Sequence, residues 1–94
     1  MIIFSERLKE LRNEKGLNQR DFSKMLNITQ PTLCRWETGD REPDFVMLEK
    51  LCRFFDVSAD YLLGIENEDG SKNTEYEFNY QHKNTKLIHK EKKI

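Results

Sequence analysis

The residues that could do chemistry in this chain of 94 gather between Gln19 and Arg41. Gln30, Thr32 and Arg35 carry the clearest signal. A glutamine amide donates and accepts at once, which suits the N6 and N7 edge of adenine, and a planar guanidinium forks onto guanine O6 and N7 or onto phosphate. The Thr32 hydroxyl can pair with either kind of edge. Around them stand Gln19, Arg20, Thr29 and Arg41, polar or cationic groups suited to phosphate oxygens. Catalytic constellations are missing: there is no Gly-rich phosphate loop, no supported Ser-His-acid set and no carboxylate pair in an apolar surround. His82 and His89 are seven apart, remote from Cys34 and Cys52, and match no zinc spacing. The chemistry on offer is recognition, with no metal and no cofactor, and the chain is not expected to be an enzyme.

Short helices must position these groups, and the punctuation of the chain predicts five of them. Ser5 is the expected cap of the first, with Leu8 and Leu11 as its apolar stripe and Gly16 as its stop. Asn18 followed three residues later by Asp21 approximates a capping box for a second helix. Its apolar face is Phe22, Met25 and Leu26, and Asn27 suits a left-handed end. Thr29 caps a third helix with Pro31 in its first turn, Leu33 and Trp36 on the inner side and Gly39 at its close. Trp36 is read as core and Cys34 as a small spacer beside the reading face. Phe45, Leu48, Leu51, Cys52 and Phe55 form the stripe of a fourth helix, and Ser58 to Gly64 frame a fifth.

So tight a joint as Asn27-Ile28 between the second and third helices forces a sharp crossing angle, the geometry of a helix-turn-helix. Three segments then carry a specific likeness: Gly16-Leu17-Asn18-Gln19, the run from Asn27 to Gly39, and Val57-Ser58-Ala59-Asp60-Tyr61-Leu62-Leu63-Gly64. Together, over Ser5 to Gly64, they resemble the lambda-repressor-like, Cro-type (XRE) DNA-binding domain, and within it the 434-like repressors. The resemblance implies an all-α, five-helix domain whose third helix, Thr29 to Glu37, reads a two-fold DNA operator as part of a homodimer. It implies base contacts from Gln30, Thr32 and Arg35, and a phosphate clamp at Gln19 joined by Arg20, Thr29 and Arg41. Arg12 and Glu37 match a largely buried ion pair of these repressors that links helix one to the end of helix three. Pro31 departs from the pattern, standing where relatives carry a polar base-contacting side chain. The mixed-charge loop Asp40-Arg41-Glu42 departs too.

Composition bounds the rest. The chain is 35% charged and 36% hydrophobic, with a mean hydropathy of -0.86, so no membrane span is expected. Met1-Ile2-Ile3-Phe4 is followed at once by Ser5-Glu6-Arg7, unlike a secretory signal, and two sparse cysteines suit reduced thiols, so a cytoplasmic location is expected. Helical patterning ends at Gly64, giving a DNA-binding unit over 1–64 and a polar extension over 65–94. That extension is either disordered or a short β-hairpin, since Tyr76, Phe78 and Tyr80 alternate with polar residues and Leu87-Ile88 could return. It could also serve dimerisation or hold a protein partner, as in an antitoxin or restriction controller. A protein-interaction adaptor that has lost DNA binding is the third reading. The formal net charge of -1 predicts weak non-specific affinity and reliance on direct base contacts and dimerisation.

Overall fold

The computed structural model describes residues 2–73, and among these the chain forms five α-helices: α1 (Ile2–Glu14), α2 (Gln19–Leu26), α3 (Gln30–Thr38), α4 (Phe45–Phe55) and α5 (Ala59–Leu63). Four begin on a side chain that replaces a missing intrahelical acceptor. The oxygens of Asn18, Thr29, Asp44 and Ser58 accept from the backbone N–H of Asp21, Thr32, Met47 and Tyr61. The ends are left-handed, at Asn27 (φ 60°), Gly39 (φ 90°), Asp56 (φ 57°) and Gly64 (φ 84°). Asn27 N–H reaches the Lys24 carbonyl at 3.1 Å and Ile28 N–H that of Ser23 at 3.0 Å, which closes α2 and turns the chain into the Thr29 cap.

Every helix gives the core at least one side chain. Phe4 and Leu8 come from α1, Phe22 from α2, Leu33 and Trp36 from α3, Leu51 and Phe55 from α4, and Leu62 from α5. Phe22 is the meeting point of α2 and α4, with ring centroids 5.4 Å from Phe54 and 5.5 Å from Phe55 in tilted contact. α1 packs on both α3 and α5, so the first helix meets the middle one and the last.

Three expectations are corrected. Ser5 does not cap α1; its hydroxyl donates to the Ile2 carbonyl at 2.8 Å, and the helix begins one turn earlier. The apolar start is thus the first turn of α1, because Phe4 and Leu8, four apart, must share the buried face. Phe45 is 88% exposed, since it directly follows the Asp44 cap and stands on the rim of α4 where no other element covers it. Met25 is 56% exposed, leaving Phe22 and the half-buried Leu26 to seat α2.

Beyond α5 the chain turns back on itself. Glu66 and Lys72 form an antiparallel bridge, and Arg7 of α1 donates to the carbonyls of Tyr61 and Glu66 while its guanidinium lies 4.2 Å from the centre of the Tyr61 ring. Ser58 donates to the Glu66 carboxylate at 2.8 Å, and Lys72 pairs with Asp60. The hairpin expected around Tyr76 to Tyr80 and Leu87-Ile88 lies outside the described residues.

Candidate nucleic-acid interface

Burial of Leu33 and Trp36 fixes the rotation of α3, and the opposite stripe faces outward. Pro31, Cys34 and Arg35 lie on it, and Gln30, in the first turn, stands at its edge; all four are exposed. The N-terminus of α2 lies beside it, and Gln19, Gln30, Pro31 and Cys34 line one shallow depression. First-turn N–H groups of a helix point out of its end, so the start of α2 offers backbone donors there, although its first turn also carries the Asp21 carboxylate and the Asn18 side chain caps the Asp21 N–H. The surface therefore offers an amide, a guanidinium and a helix end side by side, with apolar Pro31 between them.

Thr32 stands apart from that stripe. It is half-buried, and its hydroxyl is 2.8 Å from the Thr29 hydroxyl, which itself accepts from the Thr32 N–H. Both threonines are thus engaged in starting α3. Arg20 is exposed on α2; its guanidinium lies 3.8 Å from Asp21 with both side chains mostly in solvent, a contact worth little. Arg41 is exposed in the loop after Gly39, anchored through its backbone N–H to the Arg35 carbonyl at 3.2 Å.

Behind the surface lies a buried charge cluster. Arg12 of α1 donates to both Glu37 oxygens, from Nε at 2.7 Å and from Nη2 at 3.0 Å, and its Nη1 reaches the Leu17 carbonyl at 2.7 Å. Glu37 also accepts from Gln19 Nε2 at 3.0 Å. One carboxylate therefore ties α1, the start of α2 and the end of α3 together. Sequence reading matched Arg12 to Glu37 but missed the link from Glu37 to Gln19, because it joins residues 18 apart through a tertiary contact that no local pattern encodes.

The helix-turn-helix family model (HTH_3) matches residues 8–62 of this chain, from the middle of α1 to the end of α5. The chain belongs to that family. Among relatives of this HTH_3 domain, the uncharacterized HTH-type transcriptional regulator YqaE of Bacillus subtilis is 42% identical over 67 residues, covering 71% of this chain and 58% of that protein. The chain thus spans little more than half the length of that relative. The HTH_3 fold is also that of the P22 c2 repressor solved in complex with a synthetic operator, with TM-score 0.60, 26% identity, and 66% of this chain and 94% of that chain covered. The restriction-modification controller protein C.AhdI from Aeromonas hydrophila is similar as well, with TM-score 0.57, 30% identity, and coverage of 65% and 92%. Over residues 2–73, the lambda-repressor-like five-helix architecture expected from the motifs is the one found.

Proposed function

We propose that this chain is a sequence-specific DNA-binding transcriptional regulator, a repressor that places α3 in the major groove and acts in the cytoplasm without catalytic activity. The observation that carries the reading is the outward surface of α3: Arg35 projects away from Leu33 and Trp36, and Gln30 is exposed in the first turn, beside the N-terminal residue Gln19 of α2. Gln30 and Arg35 read base edges, with Thr32 at the flank; Gln19, Arg20, Thr29 and Arg41 take phosphates. Residues 1–64 form the binding unit and 65–94 its extension. A homodimer presents two such stripes about one helical turn of DNA apart, so the operator is two-fold. Among the described residues no helix is long and apolar enough to cross a membrane.

Selection of bound sequences from a random duplex library, followed by a salt titration of the best duplex, tests this. About six phosphate contacts give a slope of log affinity on log salt near -5. Gln30→Ala and Arg35→Ala should each relax preference at one position per half-site. Unchanged preference in both variants, or no salt-sensitive affinity, would overturn the reading and favour an adaptor.

Likeness to a restriction-modification controller supports a second reading, in which the same DNA-binding unit works with a protein partner held by the extension. Recovery of a stoichiometric second protein with the full chain distinguishes it.

A further inference from the structure

Around the first turn of α1 the described helices leave an apolar groove open. Phe4, Pro43, Phe45, Leu48 and Leu63 line it, with Glu42 as its one charged group, and it encloses about 150 Å³. An apolar space of that size holds one aromatic ring. Phe45 stands in its wall yet is 88% exposed. Ile3, which packs at Gly64, and Ile65 carry the apolar surface on past Leu63, and both are exposed. A continuous apolar surface of this kind marks a place where something docks.

The described part of the chain ends beside it. Asn73 donates through its backbone N–H to the Ile65 carbonyl and through Nδ2 to that of Gly64, the latter at 3.1 Å. Because Lys72 and Glu66 pair antiparallel, the backbone at Asn73 heads back toward Gly64, and so toward Leu63 in the groove wall. The sequence continues from 74 to 94, and in it Tyr76, Phe78 and Tyr80 alternate with Glu77, Asn79 and Gln81. In an extended chain that alternation puts the three rings on one side. Tyr76 comes within about 10 Å of Asn73 and Phe78 within about 17 Å, so all that is needed is to follow the direction already set.

We propose that the groove is the docking site of this chain's own aromatic segment, residues 76–80, with the Phe78 ring in the space between Phe45 and Leu63. Phe78 has no hydroxyl to satisfy and takes the interior, while Tyr76 and Tyr80 keep theirs at the wet rim. A segment tethered beside its groove is present at about millimolar effective concentration, which the same segment of a second copy must exceed to displace it. The docked segment closes over the first turn of α1 and makes the extension a part of the domain's core. This is independent of how α3 reads DNA.

Isotope-edited NMR of the full chain tests the proposal. Phe78 ring protons should show cross-peaks to the methyl groups of Leu48 and Leu63, and a mixture of labelled and unlabelled copies should show none between copies. Cross-peaks between copies would make the occupant a second chain's segment and overturn the proposal, as would their absence from both samples. Urea unfolding gives a second readout. Phe78→Ser should raise the unfolding constant of the full chain about tenfold, the worth of burying a phenyl ring. In a Phe45→Ser background the same change should do clearly less, because residues in contact are coupled. No effect of Phe78→Ser, or an equal effect in both backgrounds, would place Phe78 elsewhere and overturn the proposal.

Discussion

Arg12 and Glu37 meet in a two-point contact, 2.7 and 3.0 Å long, with side chains only 9% and 2% exposed. Removing either partner strands a buried charge. Arg12→Ala or Glu37→Ala should each cost about 3 to 5 kcal/mol, read from urea unfolding. Replacing both by apolar residues of similar volume should cost clearly less than the two single changes summed. Additive losses would show that the charges do not depend on each other.

Gly16 and Gly64 both have positive φ, at 71° and 84°, but only one has a neighbour in the way. A Cβ at Gly64 would come within 2.9 Å of Ile3 Cγ2, while at Gly16 it would meet nothing within 4 Å. Gly16→Ala should therefore lose about 1 to 2 kcal/mol from the left-handed backbone. Gly64→Ala should lose about 1 to 3 kcal/mol more, because α1 must shift to admit the methyl. Equal losses in thermal unfolding would remove the steric part of the argument.

Thr29 starts the helix that carries the reading stripe. Thr29→Ala should lower stability by about 1 kcal/mol, and Thr29→Ser should restore most of it because the hydroxyl is what accepts the Thr32 N–H. Urea midpoints of the two variants check this, and a serine variant as weak as the alanine would place the loss in the methyl group.

The turn from Asn67 to Ser71 depends on pH through Asp69. The Ser71 hydroxyl, and then the Ser71 N–H, hold the Asp69 carboxyl below its ordinary value of 3.8. A depressed carboxyl contributes stability above its unfolded value and loses it as pH falls through the folded one. The Ser71 amide resonance should therefore hold steady from neutral pH to about 4 and move only below that. Movement centred at or above 3.8 would contradict the assigned bonds.

Cys34 and Cys52 should differ in thiol chemistry. Cys34 is exposed on α3, whereas Cys52 is half-buried against the core and its thiol is pushed up by desolvation. A maleimide pulse at neutral pH should label Cys34 well before Cys52, and denaturant should abolish the difference. Bound duplex should slow Cys34 labelling if the outward stripe of α3 is the interface.

Local chemistry made much of this fold legible. Asn18, Thr29 and Ser58 cap helices with their own side chains, and Asn27, Gly39 and Gly64 end them through their own φ, so three neighbouring residues suffice to reveal each boundary. Ser5 misled because a serine can turn its hydroxyl back onto the preceding turn as readily as forward onto an N–H. Phe45 misled because its spacing fits the stripe of α4 while its place at the helix start removes the partner that would bury it. Asp56 gave no warning of its left-handed conformation, aspartate being only an occasional visitor there. At the candidate interface, the outward direction of Arg35 was readable from the positions of Leu33 and Trp36, and Gln30 is exposed because it is the first residue of α3. The bond between Gln19 and Glu37 was not, since it exists only once α2 and α3 are folded against each other.

The grip of Arg7 on the end of α5 has a consequence for synthesis. A ribosome delivers α1 before α5, and the carbonyl of Tyr61 that Arg7 holds is 54 residues further along. At roughly 5 to 20 residues per second, that is an interval of about 3 to 11 s. Throughout it Phe4 and Leu8 lack Leu62, a core partner that folding will later supply. The nascent helix is then an apolar surface without a lid, and the first of the five helices to be made is among the last to be locked.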